Sequence, residues 1–152
     1  MKRTVLAMVA VGLGIGAVMA QSDPIAQRKQ LMKSNGQHSA AVNRMVRGED
    51  PFDAAKASAA FTAWSENAPK LLPLFAAPPP EGADSRALPK IWEAKADFDK
   101  RLNELGKAAT DNKGKVATLD ELKVAYPAVN KVCNDCHELY RRPQQPQGGQ
   151  KK

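Results

Sequence analysis

From Leu119 to Tyr140 the chain sets an apolar, aromatic or thiol residue at every third or fourth position: Leu119, Leu122, Tyr126, Val129, Cys133, Cys136 and Tyr140. Steps that alternate between three and four lie on one face of an α-helix. A stripe this long is the seam of a helix packed against other helices, so the chain has to build a helical core around it. Thr118 and Glu121 precede the stripe as a capping box. Pro127 is its blemish. It removes the bond to the Lys123 carbonyl and should kink the helix about one turn after its start.

Both cysteines of the chain lie in that seam, within Cys133-Asn134-Asp135-Cys136-His137. C-x-x-C-H is the attachment signature of a c-type haem. Each thiol adds across a vinyl group of the macrocycle, and the adjacent imidazole binds the iron. Positions 133, 136 and 137 stand as i, i+3 and i+4, on one helical face. Three other readings compete. A thioredoxin-like pair needs a preceding strand in a βαβ unit, and the residues before Cys133 read as helix. A structural zinc site needs four ligands, and beyond the motif only the distant His38 is available. A plain disulfide would leave His137 without a role. Because the cysteines continue the seam, the haem belongs in the core between helices.

The N-terminus supplies the compartment. Lys2 and Arg3 precede an apolar stretch from Val5 to Val18, and Val18-Met19-Ala20 offers small residues for cleavage. Residues 1–20 read as a signal peptide cleaved before Gln21. The stretch is short for a membrane span, and no stop-transfer pattern follows. Export to the periplasm agrees with thioether attachment, which occurs outside the bacterial cytoplasm. The formal charge of +7 loses Lys2 and Arg3 and becomes +5 in the mature chain. Its cations are scattered among acids, so nucleic acid is not indicated as a partner. A mild bias toward acidic partner surfaces remains. Pro143 to Lys152 holds no apolar residue and reads as a disordered tail. That leaves 21–142 as one domain.

Three more helices are expected. Asp23 with Pro24 at the first helical position should start a helix that runs to Arg47, and Gly48 should stop it. A second should begin after Asp50 with Pro51. Its face is Ala54, Ala57, Phe61, Trp64 and Ala68, and Pro69 should break it. Ala76 to Ser85, with three consecutive prolines, reads as a surface crossover. A third helix should span Arg86 to Thr110, with Leu88, Ile91, Phe98, Leu102, Leu105 and Ala109 at helical spacing. Nothing reads as a strand. The chain is all-α, a four-helix bundle with one covalently bound haem c.

A C-x-x-C-H in the last helix resembles the class II cytochromes c, the cytochrome c′ family. The resemblance runs from about Pro24 to Arg142. It includes Arg28-Lys29-Gln30-Leu31-Met32, Pro51-Phe52-Asp53-Ala54-Ala55, Pro89-Lys90-Ile91-Trp92 and Cys136-His137-Glu138-Leu139-Tyr140-Arg141. It implies an antiparallel up-down bundle. It also implies a distal residue four after an arginine of the first helix, which here is Met32 after Arg28. Many members carry an apolar, non-ligating residue there, are five-coordinate and bind NO or CO. A second group places a methionine there and is six-coordinate and low-spin. The resemblance thus implies Met32 as the second iron ligand opposite His137, Arg28 at a haem propionate and Arg141 beside the proximal histidine. From position alone, Met32 reads as an ordinary core methionine filling an irregular gap, and it is the resemblance that makes it a ligand. Family members often dimerise through the first two helices, so a homodimer is allowed, although the first helix here is rich in polar residues.

The leading functional expectation is a periplasmic one-electron carrier that meets redox partner proteins in brief encounters. The alternative is a five-coordinate protein that binds NO or CO. A docking subunit of a larger dehydrogenase is a third. An enzyme, such as a peroxidase, would need polar catalytic groups over an open distal site, and no distal His or Arg pair stands near Met32.

Overall fold

The computed structural model describes residues 23–143. The expected signal peptide, its cleavage point before Gln21, and the tail beyond Pro143 lie outside the described residues. There are four long helices, α1 (Pro24–Val46), α2 (Ala54–Leu74), α4 (Lys95–Asn112) and α5 (Leu119–Tyr140), and a single helical turn, α3 (Lys90–Glu93), lies between α2 and α4. No membrane-crossing candidate occurs among the described helices. Neighbouring helices pack in the order α1, α2, α4, α5, with α1 and α5 touching least. This is an antiparallel four-helix bundle.

The helix ends follow the local chemistry. Asp23 accepts the Ile25 N–H at 2.8 Å to cap α1. Gly48, at φ 73°, closes it. There the Gly48 N–H reaches the Met45 carbonyl and the Glu49 N–H reaches that of Arg44, a Schellman motif. Thr118 and Glu121 form the expected capping box of α5. That helix continues through Pro127 to Tyr140.

Three expectations need correction. The second helix starts at Ala54, not Pro51, because Asp53 caps it by accepting the Lys56 N–H. The Asp50 carboxylate is instead held by Arg44 through two bonds of 2.7 Å. Ala54, at the first turn, is exposed. Nor does Pro69 break α2, which runs through Pro69 and Pro73 to Leu74. Both prolines lie on the exposed face of α2, where water can replace the hydrogen bonds they remove. Continuing the helix buries Leu71 and Phe75, which offsets the cost. The third segment is not one helix from Arg86. Leu88 precedes Pro89 and is therefore disfavoured from helical geometry. Its N–H bonds the Tyr140 carbonyl at 3.0 Å, and Ala87 bridges Arg141. Ala94, at φ −124° and ψ 46°, then separates α3 from α4.

The core has two parts. The closed end packs Val42, Met45, Phe61, Trp64, Leu122, Tyr126 and Val129. Gly106 lets α4 approach α2 there, since a Cβ would lie 3.3 Å from that of Ala68. The other end gathers Leu71, Phe75, Ile91, Phe98, Leu102 and Tyr140, with Leu31, Met32, Trp92, Cys136 and Leu139 only partly buried against them.

Candidate haem site

Between α1, α4 and the C-terminal half of α5 lies a cavity of about 550 Å³. That is within the ~300–1,000 Å³ of pockets that take a prosthetic group. Cys133, Cys136 and His137 line it from α5, and Arg28 and Met32 from α1. Arg141 lines it at the C-cap of α5, where its N–H reaches the His137 carbonyl at 3.2 Å. Every residue singled out from the sequence as a site residue thus meets the same cavity. The candidates set aside do not. Met45 is buried at the closed end, its sulfur accepting the Asp53 N–H at 3.3 Å, and His38 is absent from the lining.

The thiols are free and half-buried, and burial pushes both up to about 11. At neutral pH they are therefore thiols rather than the thiolate a dithiol redox pair requires. Among the described residues no group of three or more His, Cys, Asp or Glu could hold a bare metal ion. Burial, followed by the charges of Arg141 and Arg86, pulls His137 down to about 4. Its imidazole is neutral across the physiological range, the form that ligates iron.

The cavity wall also fits an anionic, apolar macrocycle. Phe75, Ile91, Phe98, Leu102, Leu105 and Tyr140 supply apolar surface. The Arg28 guanidinium lies 4.6 Å over the Phe75 ring, and its Nε donates to the Pro24 carbonyl at 3.3 Å. Its Nη1 is buried without a hydrogen-bond partner. An orphaned N–H of this kind costs about 1–3 kcal/mol unless an acceptor is brought to it. A haem propionate is such an acceptor. On the opposite wall, Tyr140 donates to Asp97 at 2.5 Å while Arg101 holds the same carboxylate at 2.7 Å. Arg101 first, then Tyr140, keeps Asp97 below the ordinary carboxylate range.

Sequence reasoning missed several lining residues. Lys33, Asn35, Arg86 and Arg101 all face the cavity. The Asn35 side-chain oxygen accepts from Asn67 of α2 at 2.8 Å, and its carbonyl accepts from the Trp64 indole at 3.3 Å. Asn35 lies three residues after Met32, so helical spacing could have found it. Arg86 gave no signal, because it reaches the site through the extended segment that pairs with Arg141.

A four-helix bundle whose last helix turns a C-x-x-C-H into an internal cavity defines a c-type cytochrome that holds its haem between helices. The sequence profile of the cytochrome C′ family matches residues 23–141. The chain belongs to that family, and its cofactor is covalent haem c. It is 37% identical to cytochrome c-555 of Bradyrhizobium diazoefficiens over 145 residues, covering 93% of this chain and 97% of that one. The fold matches cytochrome c′ from Rhodopseudomonas palustris with a TM-score of 0.78 at 37% identity, covering 82% and 100% of the two chains. It also matches an NMR-validated structure of oxidised cytochrome c556 from the same organism, with a TM-score of 0.74 at 32% identity and coverage of 82% and 100%.

Proposed function

We propose that this protein is an exported, periplasmic one-electron carrier of the low-spin type, with iron held by His137 and Met32 and the macrocycle attached at Cys133 and Cys136. The haem supplies the one-electron Fe(II)/Fe(III) couple. The single observation that carries the reading is that Met32 of α1 and His137 of α5 line one cavity together with both cysteines. His137 presents a neutral imidazole, since burial opposes its protonation. Met32 offers a thioether, which favours the reduced state and raises the potential relative to two imidazoles. Both ligands sit on long helices of a packed bundle, so little moves when the charge changes. Arg28 receives an anionic edge of the cofactor, and Arg141 adds positive charge beside the proximal ligand. No substrate is transformed. The names c-555 and c556 of two relatives accord with the carrier, although c′ relatives share the fold.

An optical spectrum of the oxidised protein tests this. A weak sulfur-to-iron band at the red end, absent in Met32→Leu, is expected. Met32→Leu keeps volume and apolarity, so it should cost less than about 1.5 kcal/mol of stability while opening the iron to CO. A high-spin spectrum of the unaltered protein, with rapid CO uptake, would sink the carrier and leave the gas-binding alternative.

A further inference from the structure

Six cations line the haem cavity, namely Arg28, Lys29, Lys33, Arg86, Arg101 and Arg141, and no aspartate or glutamate does. This exceeds the chain's general balance of 23 Lys and Arg against 16 Asp and Glu. Away from the cavity most of the described cations have an acidic partner, with Lys90, Lys113, Lys115, Lys123 and Arg142 the exceptions. Lys70 pairs with Glu66, Lys100 with Glu104, Lys107 with Asp111 and Lys131 with Asp135. At the cavity, Lys29 pairs with Asp84 and Arg101 with Asp97. Lys33 and Arg141 are exposed and have no such partner among the described residues. With Arg28, whose Nη1 is unpartnered, they outnumber the two propionates that a haem carries.

The excess charge sits where the bundle is least closed. The seam between α1 and α5 is its most loosely packed. Lys29, Lys33 and Gly36 from α1, Asn134 from α5 and Arg141 at its C-cap are the exposed residues of the cavity lining on these two helices. At Gly36 an added Cβ would meet nothing within 4 Å. The space beside Gly36 is therefore open.

We propose that the α1–α5 mouth of the cavity, centred on Lys33 and Arg141, is the docking face for an acidic one-electron redox protein. The proposal rests on the carrier reading above and adds the chemistry of the partner. A one-signed rim at a low-dielectric recess focuses the field and steers an oppositely charged partner to the haem edge. Such encounters need little buried area. An anionic lipid surface fits less well. Among the described residues the one exposed large hydrophobic is Val124, towards the other end of α5, so no apolar flank accompanies the charge for insertion.

The test uses the haem-loaded protein and hexacyanochromate(III), a redox-inert trianion whose paramagnetism broadens nearby amide resonances. Broadening concentrated at Lys33, Gly36 and Arg141 is expected. Broadening centred elsewhere, or spread evenly, overturns the docking face. Stopped-flow oxidation of the ferrous protein by hexacyanoferrate(III) then passes one electron to give ferric protein and hexacyanoferrate(II). Lys33→Glu should slow it about five-fold at roughly 10 mM ionic strength, with the gap closing above about 0.5 M. Lys123→Glu, near the closed end, should change it less than about two-fold. Equal slowing by both variants also overturns the proposal. Lys33-dependent binding to phosphatidylglycerol vesicles would transfer the face from a protein partner to a membrane. The high-spin spectrum that would reject the carrier is a separate measurement, so the two failures are distinguishable.

Discussion

At the closed end of the bundle, Phe61 meets Trp64 edge-on at 5.0 Å and Trp64 stacks on Tyr126 at 6.0 Å. At the haem end, Phe75 meets Phe98 at 4.7 Å and Phe98 meets Tyr140 at 5.3 Å, both edge-on. The aromatic chemistry is alike, but the surroundings differ. Phe61, Trp64, Val42, Leu122 and Val129 are fully buried by the chain itself. The second aromatic group borders a cavity, and Leu31, Met32, Trp92 and Leu139 beside it are only partly covered. One half of the core is completed by side chains. The other is shaped for a cofactor that completes it. The haem is therefore a packing element as well as a redox group.

The most direct way to break this contrast is to prevent haem attachment. Cys133→Ala with Cys136→Ala leaves the cavity unfilled and should cost at least about 4 kcal/mol, or roughly 15–25 °C in melting temperature. Hydrogen exchange should then stay slow around Phe61 and Trp64 and become fast from Ile91 to Leu102. An unchanged melt would mean that both halves are self-sufficient. Next in size, Phe61→Ala should destabilise by about 3–5 kcal/mol, and by the same amount with or without haem. A haem-dependent cost would show that the ends are not separate. At their boundary, Asn67→Ala should cost about 1–3 kcal/mol, because it deprives buried Asn35 of its partner. Replacing both asparagines by leucine should recover most of that loss, as chemical denaturation would measure.

The smallest effect belongs to the haem-end rim. Asp97→Asn weakens the contacts with Arg101 and Tyr140 and should lower the melting temperature slightly at neutral pH. Asp97 ionises below its ordinary range in the folded state. Its contribution is therefore present above the unfolded carboxylate value near ~4 and disappears as pH falls through the folded one. Melting curves of parent and variant should converge in acid. A difference that persists there would assign the effect to shape rather than charge.

Much of the bundle was legible because helical periodicity is a local signal. The caps at Asp23 and Thr118, the Gly48 stop and the α5 stripe involve residues within one or two turns of each other. The misreadings arose where distant contacts outweighed local rules. Pro69 is a helix breaker by itself, yet α2 continues because its prolines face water and Leu71 and Phe75 gain burial. Asp50 looked like a cap until Arg44 took its carboxylate. The segment from Arg86 to Leu88 resembled the start of a helix, but the end of α5 holds it extended. Within the site, the cysteines and His137 were readable from spacing alone. Arg86 and Arg101 were not, since each reaches the cavity from an element far away in the chain.

By itself the sequence determined that the chain is helical and that its haem is covalent, and it singled out His137 as the residue proposed to bind the iron. These follow from short spacings whose geometry a single helix imposes. The tertiary structure decided what stands around that helix. It brought Met32 across from α1, left a buried Arg28 N–H in want of an acceptor and gathered six cations with no acid along the cavity. Those features depend on how helices cross and on which charges are already paired, and no local pattern encodes either.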